Sequence, residues 1–113
     1  MQVEKNQDFA VIRIEGNIQQ RELELQKHLN ELIVDGKSKI ILDIREAELD
    51  MAHRDLFEKV MMTANDLVQQ QEGDIVFLTS LGRKINLRIP DRLDMEKFYM
   101  ERQAIEFLHG SHG

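Results

Sequence analysis

His28, His53, His109 and His112 are the imidazoles of this chain, and a metal centre would need several of them, or several carboxylates, to converge. No two stand four residues apart on a helical pattern. His28 falls on the polar side of a helical stretch, and His109 and His112 fall near the end of the sequence. Only His53 lies where a loop could use it. Cysteine is absent, which removes disulfides, thiolate metal ligands and thiol catalysis together. Nucleophilic catalysis by a hydroxyl needs a base and an orienting acid nearby. Ser80 has no histidine close to it in sequence, and Ser38 belongs to a helix-to-strand turn at the opposite end of any sheet. Leu81-Gly82-Arg83-Lys84 opens a helical pattern, but a phosphate cradle needs closely spaced glycines, and one is present. An ordinary helix start capped by Thr79 or Ser80 explains that stretch better. Asp43 and Asp50 could be imagined as paired carboxylates, or one of them as a phospho-acceptor of the receiver kind. A receiver also needs an acidic pair after an early strand, and Ile14-Glu15-Gly16-Asn17 does not supply it. No constellation amounts to an enzyme, and none calls for a cofactor or a metal.

The bulk properties point the same way. A length of 113 residues suits one domain with one core. The net charge of −6 gives no electrostatic footprint for nucleic acid; Arg83-Lys84 with Arg88 and Arg92 is the one candidate for a local basic patch. Residues 1–8 are polar, no secretory signal is visible, and no apolar run approaches the length of a membrane span. The expected setting is cytoplasmic, without direct membrane insertion. With five Phe, one Tyr and no Trp, the core must be built chiefly from Leu, Ile, Val and Met.

Periodicity supplies the elements that must position these residues. Residues 9–14 form a short β-branched strand that ends in a turn at Glu15-Gly16-Asn17, and residues 2–5 pair with it as a hairpin through Asn6-Gln7-Asp8. Over residues 21–35, Leu25, Leu29, Leu32 and Ile33 recur at helical spacing, leaving Glu22, Glu24, Lys27 and Glu31 for solvent. Gly36 stands at the C-terminal cap. Residues 40–44 are continuously apolar apart from Asp43, as in a strand buried on both faces. A polar connection over 45–53 leads to a second helix with the stripe Leu56, Val60, Ala64, Leu67 and Val68, and Gly73 follows its polar end. Residues 75–78 make a further buried strand. Leu81, Ile85 and Ile89 mark a short helix stopped by Pro90, and residues 97–100 a last short strand. Ala104, Phe107 and Leu108 are spaced for a final helical turn, and residues 109–113 read as a frayed tail. Strands alternating with helices imply an α/β fold whose mixed, mostly parallel sheet of about five strands begins with a hairpin and carries about four helices. One domain spans residues 1–108.

The order of these pieces resembles the STAS domain, the fold of anti-sigma-factor antagonists. Residues 9–17 resemble that family's opening strand and glycine, and residues 25–36 its first helix. Lys39-Ile40-Ile41-Leu42-Asp43-Ile44 is similar to the strand that carries a characteristic Asp. Gly73-Asp74-Ile75-Val76-Phe77-Leu78 is similar to the strand after the second helix, and Ala104-Ile105-Glu106-Phe107-Leu108 to the last helix. The resemblance implies a protein-binding role, with an anti-sigma factor or kinase-like protein as partner. In the family's antagonists the loop before the second helix reads roughly Asp-Ser-Ser/Thr-Gly-Leu, and a partner kinase phosphorylates its second hydroxyl residue. The matching stretch here is Leu49-Asp50-Met51-Ala52-His53-Arg54. Asp50 matches the Asp, Met51 replaces the first Ser, Ala52 occupies the phospho-acceptor place, and His53 replaces the Gly. Residues 47–57 hold no Ser or Thr at all, so the resemblance carries over the docking place but not the switch.

Asp50, Met51, Ala52, His53 and Arg54 are therefore the candidate partner-binding residues. A plainer reading makes them a solvated helix start with Asp50 as N-cap, and the two readings are compatible at Asp50. Two other functions stay open at this level: a soluble accessory subunit of a membrane transport complex, and a small-ligand or nucleotide sensor working through residues 79–84. Oligomeric state also stays open; Met61-Met62 could present an adaptable apolar patch, compatible with a homodimer.

Overall fold

The chain's sheet has five strands in the order β1-β2-β3-β4-β5, as seen in a computed structural model that describes residues 1–48, 54–79 and 96–110. Strands β1 (Gln2–Lys5) and β2 (Ala10–Asn17) form the expected antiparallel hairpin, with Val3 opposite Ile12 and the Asn6 N–H donating to the Phe9 carbonyl at 2.8 Å. The parallel strands β3 (Lys39–Glu48), β4 (Asp74–Leu78) and β5 (Lys97–Phe98) follow in turn. Helices α1 (Glu22–Val34) and α2 (Arg54–Gln70) cross between them, and α3 (Glu101–Gly110) closes the described chain. A single 3-10 turn, Ile18–Arg21, precedes α1. Among the described residues there are three α-helices. The short helix expected around Leu81, Ile85 and Ile89 lies outside them.

Successive residues of a strand face opposite sides, so β2, β3 and β4 each feed two cores. Ala10, Ile12, Ile14, Ile40, Leu42, Ile44, Ile75 and Phe77 face α1 and α2 and make the larger core. Val11, Ile41, Val76 and Leu78 face α3, which contributes Ala104 and Leu108. This two-sided burial is why residues 40–44, apart from Asp43, and residues 75–78 read as apolar runs.

Glu22, expected in solvent, is buried at the start of α1, and β5 ends at Phe98 and not at residue 100; four larger expectations also need correction. First, β2 does not turn at Glu15 but pairs with β3 through Asn17. Second, residues 45–48 are not part of a polar connection; they extend β3. A bulge makes the difference: Arg13 pairs with Asp43 but Glu15 pairs with Glu46, so β3 carries one extra residue. Without it, Ala47 would face the side opposite Ile44; with it, Ala47 joins Ile44 in the larger core. Third, the inward face of α2 is Phe57, Met61, Ala64 and Val68, with Val60 and Leu67 only partly buried. Leu56 is 51% exposed and Met61 is fully buried, so of the Met61-Met62 pair only Met62 is on the surface. Fourth, α3 continues through His109 to Gly110, beyond the expected start of the tail.

Both long helices stop in the same way. At the end of α1 the Gly36 N–H donates to the Ile33 carbonyl (3.1 Å) and the Lys37 N–H to the Leu32 carbonyl (2.8 Å), with Gly36 at φ 81°. This is the Schellman pattern, with glycine in the left-handed position as expected. At the end of α2 the Glu72 N–H donates to the Gln69 carbonyl (3.1 Å) and the Gly73 N–H to the Val68 carbonyl (2.8 Å). Here the left-handed residue is Glu72, at φ 59°. Gly73 serves a different purpose: its backbone lies against Ser38, where a Cβ would overlap the Ser38 carbonyl oxygen and Cβ.

Candidate functional site

In a sheet of this kind the working loops leave the carboxyl ends of the parallel strands. Strand β3 reaches that edge at Glu48, and α2 starts back from it at Arg54. Asp50, Met51, Ala52 and His53 lie between these two points, outside the described residues, and Arg54 is the first residue of α2. Ser80 and the Leu81-Gly82-Arg83-Lys84 stretch also lie outside them. Ser38 sits at the other end of the sheet, where its carbonyl accepts the Asp74 N–H at 2.9 Å. His28 is half-buried on α1 with Glu24 and Glu31 within 4.0 Å and 3.9 Å. His109, on α3, meets the Phe9 ring edge-on at 6.2 Å. Among the described residues no group of three His, Asp or Glu is placed to hold a metal ion. Nor is any helix there long and apolar enough to cross a membrane.

What the described structure builds near this edge is an ion-pair network centred on Asp43. Arg13 and Asp43 are neighbours across β2 and β3 on the α3 side of the sheet. Arg13 Nη1 donates to Asp43 Oδ2 at 2.7 Å. Arg45, two residues on, donates to the same carboxylate from Nε (3.0 Å), from Nη2 (2.9 Å) and from its backbone N–H (3.1 Å). That backbone bond falls where the bulge interrupts the ladder, so the side chain of Asp43 supports the irregularity that redirects the rest of β3. Arg13 Nη2 also donates to Glu4 of β1 at 2.8 Å and to Glu101 of α3 at 2.6 Å. One guanidinium thus ties an edge strand, a central strand and a helix, using the fork of donors that distinguishes Arg from Lys.

Desolvation of the buried Asp43 opposes its ionisation, but the hydrogen bonds from Arg45 and Arg13 outweigh it and hold the carboxyl below its usual value. Arg13 is raised, mainly by its hydrogen bond to Glu4, and Arg45 is raised, mainly by Asp43. A carboxyl with a depressed folded-state pKa binds its proton more readily when unfolded, so its contribution is complete above the ordinary carboxylate range and is lost as pH falls through the lower, folded-state value. Wild-type protein will therefore lose stability steadily below about pH 4, and Asp43→Asn will be less stable at neutral pH with a shallower acid slope. Urea denaturation of both proteins between pH 2 and 7 (a range bracketing the carboxylates,) measures this. Parallel slopes would show that Asp43 does not contribute in this way.

Among the described residues, Arg13, Arg45 and Glu101 form the arrangement that residue-by-residue reading missed. A signal was present: Ile12-Arg13-Ile14 and Leu42-Asp43-Ile44 each place one charge, of opposite sign, inside an otherwise apolar strand. The third partner, Glu101, lies 88 residues from Arg13 and left no local trace.

The sheet order, the initial hairpin, the two helices on one face and α3 on the other define the STAS fold. Among solved structures, the anti-sigma factor antagonist SpoIIAA in its unphosphorylated form matches with a TM-score of 0.71 over 96% of this chain and 97% of that chain, at 14% sequence identity. At that identity the likeness establishes the fold. No protein-family model matches the sequence, and no curated protein matches it.

Proposed function

We propose that this chain is a non-catalytic regulatory module of the anti-sigma-factor-antagonist kind, which binds a protein partner through residues 50–54 and lacks the serine phosphorylation switch. The observation that carries this reading is the near-complete superposition of both chains on one fold, in which the matched protein is an anti-sigma factor antagonist. The absence of Ser and Thr from residues 47–57 supports the loss of the switch. The position of Arg54 at the start of α2 supports the docking place: the positive end of a helix dipole favours acidic contacts, and a guanidinium adds a fixed charge able to grip a carboxylate in two places.

Arg54→Glu replaces an attraction with a repulsion and should weaken partner binding at least tenfold, roughly 1.4 kcal/mol or more. Folding stability should change by only about 0.5 kcal/mol, as for a charged residue exchanged in the first turn of a helix. The test is affinity capture from lysate of the native host with wild type and Arg54→Glu, followed by identification of the bound protein and intact-mass analysis of the bait. An anti-sigma or kinase-like protein held by wild type and lost by Arg54→Glu, with no phosphate in the loop, supports the proposal. Normal capture by Arg54→Glu together with loss in Arg83→Ala or Lys84→Ala would move the working surface to residues 79–84. Capture of a transporter ATPase would replace the anti-sigma reading with that of a transport-complex subunit.

A further inference from the structure

Among the described residues, the two faces of the sheet are covered unequally. On one side, α1 and α2 bring Leu25, Leu29, Leu32, Ile33, Phe57, Met61, Ala64 and Val68 into a continuous core. On the other, among the described residues, α3 buries only Ala104 and Leu108 completely, with Ile105 and Phe107 partly covered beside Phe9 and Phe98. A thin layer of this kind opens at a lower free energy than the body it rests on. The side chain of Glu101, the first residue of α3, is held by Arg13 Nη2 at 2.6 Å, and Arg13 is anchored in turn on the buried Asp43. The charged partner of α3 is thus prearranged by the sheet and does not depend on the helix being in place.

We propose that α3 opens from the sheet as a unit, with the Arg13–Glu101 ion pair as its latch. When the latch releases, Arg13 keeps Asp43 and Glu4 as partners, so no charge is stranded in the sheet. The energetic asymmetry favours opening over general unfolding: among the described contacts, the helix gives up the half-exposed ion pair, the ring contacts of Phe107 with Phe98 and of His109 with Phe9, and the apolar contact of Ala104 and Leu108, while the core beneath α1 and α2 is untouched. Opening uncovers Val11, Ile41, Val76 and Leu78. This device is independent of which partner the chain binds.

Native-state hydrogen exchange on the full chain tests it. In wild type, the amides of residues 104–110 should exchange at least tenfold faster than the slowest amides of β2, β3 and β4, after correction for intrinsic rates. Glu101→Gln keeps the shape and removes the charge, and should speed exchange in α3 by a further factor of roughly three to ten while leaving β2–β4 unchanged. Glu4→Gln takes a different partner from the same guanidinium and should leave α3 exchange unaltered. Three results would overturn the proposal: α3 exchanging with the sheet in wild type, Glu101→Gln accelerating all elements equally, or Glu4→Gln loosening α3 as much as Glu101→Gln does.

Discussion

Phe57→Ala will lower the unfolding free energy by about 3–5 kcal/mol, while Leu56→Ala, one residue earlier on the same helix, will change it by no more than about 0.5 kcal/mol. The contrast follows from the rotation of α2. Phe57 is 1% exposed and packs against Phe77 of β4 with ring centroids 6.4 Å apart; Leu56 is 51% exposed. Truncating Phe57 removes both its transfer free energy and its contacts, and leaves a cavity between α2 and the sheet that its neighbours can only partly fill. Truncating Leu56 removes a side chain that already touches water on one side. Urea denaturation at neutral pH, with the slope checked for constancy between variants, measures both. Equal losses at the two positions, or a larger loss at Leu56, would mean that α2 faces the sheet with the other stripe.

Gly73→Ala should cost about 3 kcal/mol, toward the upper end of what overpacking produces. The reason is a backbone approach and not a left-handed conformation. The Ser38 carbonyl accepts the N–H of Asp74 at 2.9 Å, which draws the turns before β3 and β4 together, and a methyl group on residue 73 would occupy the space of Ser38 backbone and side-chain atoms. Neither chain can move aside without breaking the register that pairs Lys39 with Asp74. The preceding residue gives the opposite sign. Glu72 holds φ 59°, a conformation that costs a residue with a Cβ about 1 kcal/mol, so Glu72→Gly should be neutral or slightly stabilising. Thermal unfolding of the two variants distinguishes these roles. A loss at Glu72→Gly with none at Gly73→Ala would show that the close contact with Ser38 is not needed.

What the sequence determined by itself is the order and kind of the elements, because those depend on neighbours in the chain. Residues 40–44 and 75–78 are apolar on both alternating faces, which only a strand covered on two sides can use, and Leu25, Leu29 and Leu32 recur at a period only a helix matches. The absence of cysteine, and of any hydroxyl residue across positions 47–57, is likewise a property of composition that no packing can alter. The phase and the ends of those elements were not local. The stripes 56-60-64-67-68 and 57-61-64-68 both fit a helix, and only the place waiting beside Phe77 selects the one that inserts Phe57. Residues 45–48 look polar because past Ile44 only Ala47 of β3 is buried; the bulge that turns Ala47 inward exists through pairing with β2, a strand about 30 residues earlier. The Arg13–Asp43–Glu101 network joins positions 30 and 88 residues apart. Its strength comes from one guanidinium meeting several carboxylates at a partly buried point, and that meeting is created by the sheet and by the docking of α3, not by any pattern along the chain.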